Sequence, residues 1–255
     1  MKAQKQPIVM LTAYDASFAR QLEVAGIDVV LVGDSLGMVV QGHSNTLPVT
    51  LEHMVYHTAS VARGVSATML VADLPFMTDR DLSHALEAAK RLVGEAGAAM
   101  VKVEGGAAHV LTIIEGLIAR GIPVCAHLGL TPQSIHKLGG FRLQGRELEA
   151  AERVLTEARA VEDAGADILV IEGIPASLGE RISQALAIPV IGIGAGPHCD
   201  GQVLVLHDML GITHGKAPGF SKNFLLGHDS VTAAIEAYAA DVRSGTFPGP
   251  EHYSR

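Results

Sequence analysis

The 255-residue chain has no tryptophan, only 4% aromatic residues and two cysteines. A core so poor in rings must be filled by aliphatic side chains, and hydrophobic residues make up 48% of the sequence. Cys125 and Cys199 are too few for a disulfide scaffold and too far apart for a Cys-x-x-Cys site, so a reducing cytoplasm is the expected compartment. Positive charge is scarce as well. Against 27 Asp and Glu stand 19 Lys and Arg, and the net charge of −8 argues against nucleic acid or an anionic membrane as partner. No apolar run is long enough to span a bilayer, and residues 1–7 lack the profile of a signal peptide.

What is present is a rhythm. Four short apolar runs rich in Val and Ile end in an acid: 27–33 at Asp34, 68–72 at Asp73, 100–103 at Glu104 and 168–171 at Glu172. Such runs read as strands buried in a parallel sheet. Further strands are expected at 7–11, at 123–126 before His127, at 188–193 and at about 202–206, with Asp208 just beyond. Between them lie stretches of helical spacing: 17–25, from a Thr50 cap to about Arg63, 81–96, 107–120, 147–164 and 176–186. Residues 37–47 and 128–142 read as long loops, and 223–244 as a helical tail ended by Pro248-Gly249-Pro250. There is no linker or low-complexity stretch. About eight strand–helix units predict a (β/α)8 TIM barrel as one domain over 1–255, with a C-terminal helical tail. Active sites in that fold lie at the C-terminal ends of the strands, where all four acids fall.

A buried carboxylate needs a metal, a cation or a substrate as partner. Asp34, Asp73 and Glu104 together favour a hard divalent ion, Mg²⁺ above others. Singly, each also reads as a helix cap or a lysine partner. Lys102 lies two residues before Glu104, so both face one side of their strand. It suits a substrate carboxylate or an enolate oxygen; a structural ion pair and a Schiff base are the competing readings. His127 reads as a hydrogen-bond donor to substrate or as an ordinary buried histidine. Glu172 is the candidate base, since an apolar setting raises a carboxylate's pKa; its other reading is a support for Lys102 or a water. Gly192-Ile193-Gly194-Ala195-Gly196 follows a strand where barrels bind phosphate, but glycines there also serve close packing.

Several segments together resemble the ketopantoate hydroxymethyltransferase family. They are Leu11-Thr12-Ala13-Tyr14-Asp15, Gly33-Asp34-Ser35-Leu36-Gly37, Asp73-Leu74-Pro75-Phe76-Met77, Val101-Lys102-Val103-Glu104-Gly105-Gly106 and His127-Leu128-Gly129-Leu130-Thr131-Pro132-Gln133-Ser134. Thr46-Leu47-Pro48-Val49-Thr50 and the glycine run at 192–196 extend the resemblance to nearly the whole chain. His43-Ser44-Asn45 and Gly173 depart from the family's usual pattern without removing a candidate group. The resemblance implies a barrel enzyme of pantothenate synthesis, with Mg²⁺ and with 5,10-methylenetetrahydrofolate as one-carbon donor. It places the metal on Asp34, Asp73 and Glu104, the 2-oxo acid on Asp34, Ser35, Asp73 and Lys102, and the base at Glu172. It also implies a cytoplasmic homodecamer. The competing chemistry is a Mg²⁺-dependent C–C lyase or mutase on 2-oxo acids, of the isocitrate-lyase or phosphoenolpyruvate-mutase type. A barrel that only binds metabolites is a third reading.

Overall fold

Eight of the apolar runs form strands: Ile8–Thr12 (β1), Val29–Val32 (β2), Met69–Asp73 (β3), Met100–Glu104 (β4), Val124–Gly129 (β5), Ile168–Glu172 (β6), Val190–Ile193 (β7) and Gly201–Leu204 (β8). In the computed structural model, which describes residues 1–213 and 215–254, they close in sequence order into a parallel barrel, with β8 pairing back onto β1. The protein is thus a (β/α)8 TIM barrel. His214 and Arg255, part of the expected 1–255 span, lie outside the described residues.

Ten helices are described: Ala16–Val24 (α1), Leu36–Val39 (α2), Leu51–Ala62 (α3), Leu82–Lys90 (α4), Ala108–Ile118 (α5), Ile135–Leu138 (α6), Leu148–Asp163 (α7), Ala176–Ala185 (α8), Leu206–Met209 (α9) and Val231–Ser244 (α10). Side-chain caps start several of them. Asp15 accepts from the Ser17 and Phe18 amides, Thr50 from His53, Asp81 from His84 and Ser230 from Ala233. Thr50 is the cap its sequence setting predicts.

Strand alternation sorts the apolar residues into two cores. Ile8, Met10, Val29, Leu31, Val71, Met100, Cys125, Val170 and Ile191 fill the barrel itself. Their strand neighbours, such as Val9, Val30, Ala72, Val101 and Leu169, pack outward against the helices. With few aromatics, this filling is aliphatic. Four aromatics are buried, Tyr14, Phe224, Tyr238 and Phe247, and one of them ties the closing seam: the Tyr238 hydroxyl on α10 lies 3.1 Å from the carbonyl oxygens of Met10 on β1 and Gln202 on β8.

Three expectations need correction. The tail is not helical from 223, because the Asn223 side chain accepts from the Leu225 and Leu226 amides and turns the chain; the helix begins only after the Ser230 cap. The eighth strand ends at Leu204 rather than 206. The Leu206 amide donates to Thr12 Oγ1 instead of the strand ladder, and the chain turns into α9, which carries Asp208. The expected loops at 37–47 and 128–142 each contain a helical turn, α2 and α6.

The seam also shows why β8 starts with glycine. A Cβ on Gly201 would stand 2.2 Å from the Ile8 carbonyl oxygen and 2.8 Å from Ile191 Cδ1. Backbone cannot yield as a flexible side chain does. Gly201→Ala is therefore expected to lower unfolding free energy by about 1–3 kcal/mol in urea titrations.

Candidate active site

The period of two that fills the barrel also builds the site. Along β3 the interior residue after Val71 is Asp73; along β4 Met100 is followed by Lys102 and Glu104; along β5 Cys125 is followed by His127; along β6 Val170 is followed by Glu172. Apolar layers thus give way to charge at the C-terminal rim. On β2 the interior position after Leu31 is Gly33, where a Cβ would stand 2.9 Å from Ser35 Oγ and 3.5 Å from Asp73 Oδ2. Glycine leaves that space open, and Asp34 enters the site just past the strand end.

Five residues from four parts of the chain close into a ring of polar contacts. The Asp34 amide donates to Asp73 Oδ2 (2.9 Å), and Lys102 Nζ donates to Asp73 Oδ1 (2.7 Å). Lys102 Nζ lies 3.9 Å from Glu104 Oε1. The Gln133 amide donates to Glu104 Oε2 (3.0 Å), and its side-chain Nε2 lies 2.9 Å from both Asp34 Oδ2 and the Leu74 carbonyl oxygen. Outside the ring, His127 Nδ1 is 3.2 Å from Glu104 Oε1. Its Nε2 is 3.3 Å from Glu172 Oε2, though not aligned to donate to it. Ser35 Oγ lies 2.8 Å from the hydroxyl of the buried Tyr14. Every candidate from the sequence, Asp34, Ser35, Asp73, Lys102, Glu104, His127 and Glu172, lines one cavity of about 1020 Å³.

Electrostatics follow from this crowding. Burial, then the charges of Asp73 and Glu104, push the Asp34 carboxyl well above the usual carboxylate range. Burial also opposes charge on Glu104, but His127, Lys102 and the Gln133 amide outweigh it and hold that carboxyl below its ordinary value. Burial would depress Lys102, yet Asp73, Glu104 and Asp34 together raise it. For His127, burial and Lys102 pull the imidazole down, but Glu104 and Glu172 prevail and push it up to about 9.

The donors suit a hard cation. All three acids offer oxygen, and burial together with Asp73 and Glu104 raises the Asp34 carboxyl. Among the described residues, no group of three or more His, Cys, Asp or Glu side chains is positioned to hold a metal ion by itself.

Gln133 and Tyr14 stand within segments that carry the resemblance, but they carry no charge and the sequence alone assigns them no role; the fold brings Gln133 to Asp34 and Glu104, and Tyr14 to Ser35. Asp208 was visible as an acid, but not as a residue of this cavity. The glycines in and just after β7 serve packing: a Cβ on Gly194 would meet the Phe220 ring at 2.8 Å, and one on Gly192, within the strand, the Cys199 sulfur at 2.8 Å.

Comparison with known proteins bears on this site. The family model described as ketopantoate hydroxymethyltransferase matches residues 1–250. A 3-methyl-2-oxobutanoate hydroxymethyltransferase from Nitrosococcus oceani is 56% identical over 249 residues, covering 97% of this chain and 94% of its own. The enzyme of that name from Shewanella amazonensis is 54% identical over 251 residues, covering 98% and 94%. Among solved structures, a phosphonopyruvate hydrolase in complex with oxalate and Mg²⁺ superposes with a TM-score of 0.63 at 13% identity, covering 98% of this chain and 89% of that one. At that identity the likeness shows the barrel fold alone.

Two tests address the geometry. Gln133→Met keeps side-chain length but leaves Asp34 Oδ2 and the Leu74 carbonyl without this donor; a loss of about 1–3 kcal/mol is expected by chemical unfolding. His127 has a folded-state pKa raised from 6.5 to about 9. Its contribution is fully present below pH 6.5 and is lost as pH rises through about 9. Metal-free melting curves over that window should fall less steeply with pH for His127→Gln than for the native protein.

Proposed function

The chain belongs to the ketopantoate hydroxymethyltransferase family, and we propose that it transfers a hydroxymethyl group from 5,10-methylenetetrahydrofolate to 3-methyl-2-oxobutanoate. The product is 2-dehydropantoate, for pantothenate synthesis. One observation carries this reading. A buried group of acids joined to Lys102 lies on one side of the cavity, and a separate carboxylate, Glu172, reaches the same space from β6. That is the division of labour an enolisation requires: one part to hold a 2-oxo acid and stabilise negative charge, another to take a proton. The relatives at 54–56% identity carry the transferase name, which favours this chemistry over a C–C lyase or mutase.

Asp34, Asp73 and Glu104 would hold a divalent ion, in our reading Mg²⁺. When bound, it supplies Lewis acidity toward the keto and carboxylate oxygens of the substrate. The protein's own groups do the remaining work. Lys102, fixed on Asp73, presents its ammonium to the oxygen where enolate charge gathers. Ser35, steadied by Tyr14, offers a hydroxyl to the substrate carboxylate. Glu172 takes the proton from C3, with His127 placed between it and Glu104. The C3 carbanion then bonds to the methylene carbon of the donor as the first C–N bond breaks. Water replaces the remaining nitrogen at that carbon, breaking the second C–N bond and supplying the hydroxyl; the proton from C3 and one from water end on the two folate nitrogens of tetrahydrofolate. The one-domain span, the homodecamer and the cytoplasmic setting belong to the same proposal; sedimentation of the purified protein checks the assembly.

Glu172→Gln is the direct test of the base. The variant should bind 3-methyl-2-oxobutanoate as the native protein does, while exchange of the C3 proton into D₂O falls by at least about 100-fold. Native exchange in that variant would take Glu172 out of the role. In the same assay, chelation should stop turnover and added Mg²⁺ restore it; turnover indifferent to chelator would remove the ion.

A further inference from the structure

The reaction described above uses one side of the cavity. Asp34, Asp73, Lys102, Glu104, His127 and Glu172 belong to β2 through β6 or follow directly on them. The remaining arc, β7, β8 and β1, is lined by Gly194, Val203, Leu204 and the Phe220 ring; Asp208 on α9 is its buried carboxylate, and Lys216 and the exposed Glu251 also line the cavity. Asp208 is only 6% exposed. Thr213 donates its hydroxyl to Asp208 Oδ1, and among the described residues no Lys or Arg forms an ion pair with Asp208. A carboxylate so placed is costly unless something with N–H donors meets it. The 2-oxo acid is an anion and would be repelled there. It is also small, and a cavity of about 1020 Å³ leaves ample room for a second molecule.

We propose that Asp208 and the apolar arc around it form the subsite for the bicyclic ring of the one-carbon donor, with Asp208 accepting from adjacent ring N–H and amino groups. A flat heterocycle with an apolar face and paired donors on one edge matches a wall of Val203, Leu204 and Phe220 beside a single buried carboxylate. Asp208 shares the cavity with the groups that would hold the 2-oxo acid and is close enough to Glu172 for their charges to interact, so donor and acceptor would meet beside the base. The inference rests on the folate-dependent reaction proposed above and adds where that co-substrate is read.

Asp208→Asn keeps the size of the side chain and the contact with Thr213, but offers an NH₂ where the ring also donates. KM for methylenetetrahydrofolate, and the calorimetric Kd for tetrahydrofolate, should each rise about tenfold to a hundredfold. C3 proton exchange of 3-methyl-2-oxobutanoate without folate, compared at each variant's optimal pH, should stay within about threefold of native, because Asp208 touches none of the groups that hold or deprotonate the 2-oxo acid and acts on Glu172 through charge alone. Asp208→Ser, smaller and unable to overpack, should behave alike, with melting temperatures recorded for both. Unchanged folate KM and Kd overturn the subsite, and so does an exchange rate that falls in step with turnover. A native protein that makes no hydroxymethyl product from the folate donor would instead bring down the reaction itself, and the subsite with it.

Discussion

The barrel rim crowds the carboxyl groups of Asp34, Asp73 and Glu104 against Lys102 and His127 in a buried space, and much of the structure follows from that crowding. Asp34, Asp73 and Glu104 are held together around a single lysine. The cost appears as an Asp34 carboxyl raised by burial and by its two neighbours. A protein selected for stability alone would replace such a cluster with apolar side chains at little loss. Its persistence at the mouth of an otherwise aliphatic barrel marks it as a place prepared for something positive.

The scaffold supports this concentration of charge by making it local. One strand layer deeper, Val71, Met100, Cys125 and Val170 form a dry floor that keeps the carboxylates in low dielectric and strengthens every interaction among them. Lys102, Gln133 and His127 then act as ties. Lys102 fixes Asp73; Gln133 joins Asp34 to Glu104; His127 stands between Glu104 and Glu172. Each tie comes from a different segment, so the acids cannot drift apart without disturbing β4, β5 or the loop after β5. Small residues matter as much as charged ones. Gly33 keeps open the interior position beside Asp73, and Gly201 lets β8 close against β1.

Much of this was legible in the chain itself. Apolar runs that end in acids, placed between stretches of helical spacing, fix strand positions and point the acids toward one end of a parallel sheet. Lys102 and Glu104 had to share a face because they are two residues apart on a strand. The errors arose where side chains redirect the backbone. Asn223 turns a stretch whose composition allows helix, and Thr12 captures the Leu206 amide and ends β8 early. Neither event has a signature in hydrophobic periodicity, because each depends on a hydrogen bond to a partner that only the folded chain brings near.

The sequence by itself determined the barrel, the end at which the acids gather, and the identity of the charged groups, because periodicity and burial act along the chain. Only the tertiary structure decided how those groups are joined: that Lys102 pairs with Asp73 at 2.7 Å, that neutral Gln133 bridges two acids, that Tyr14 steadies Ser35, and that Asp208 lines the same cavity. These contacts connect residues up to 99 positions apart for Gln133 and Asp34. Their partners are chosen by barrel closure, a property of all eight strands at once.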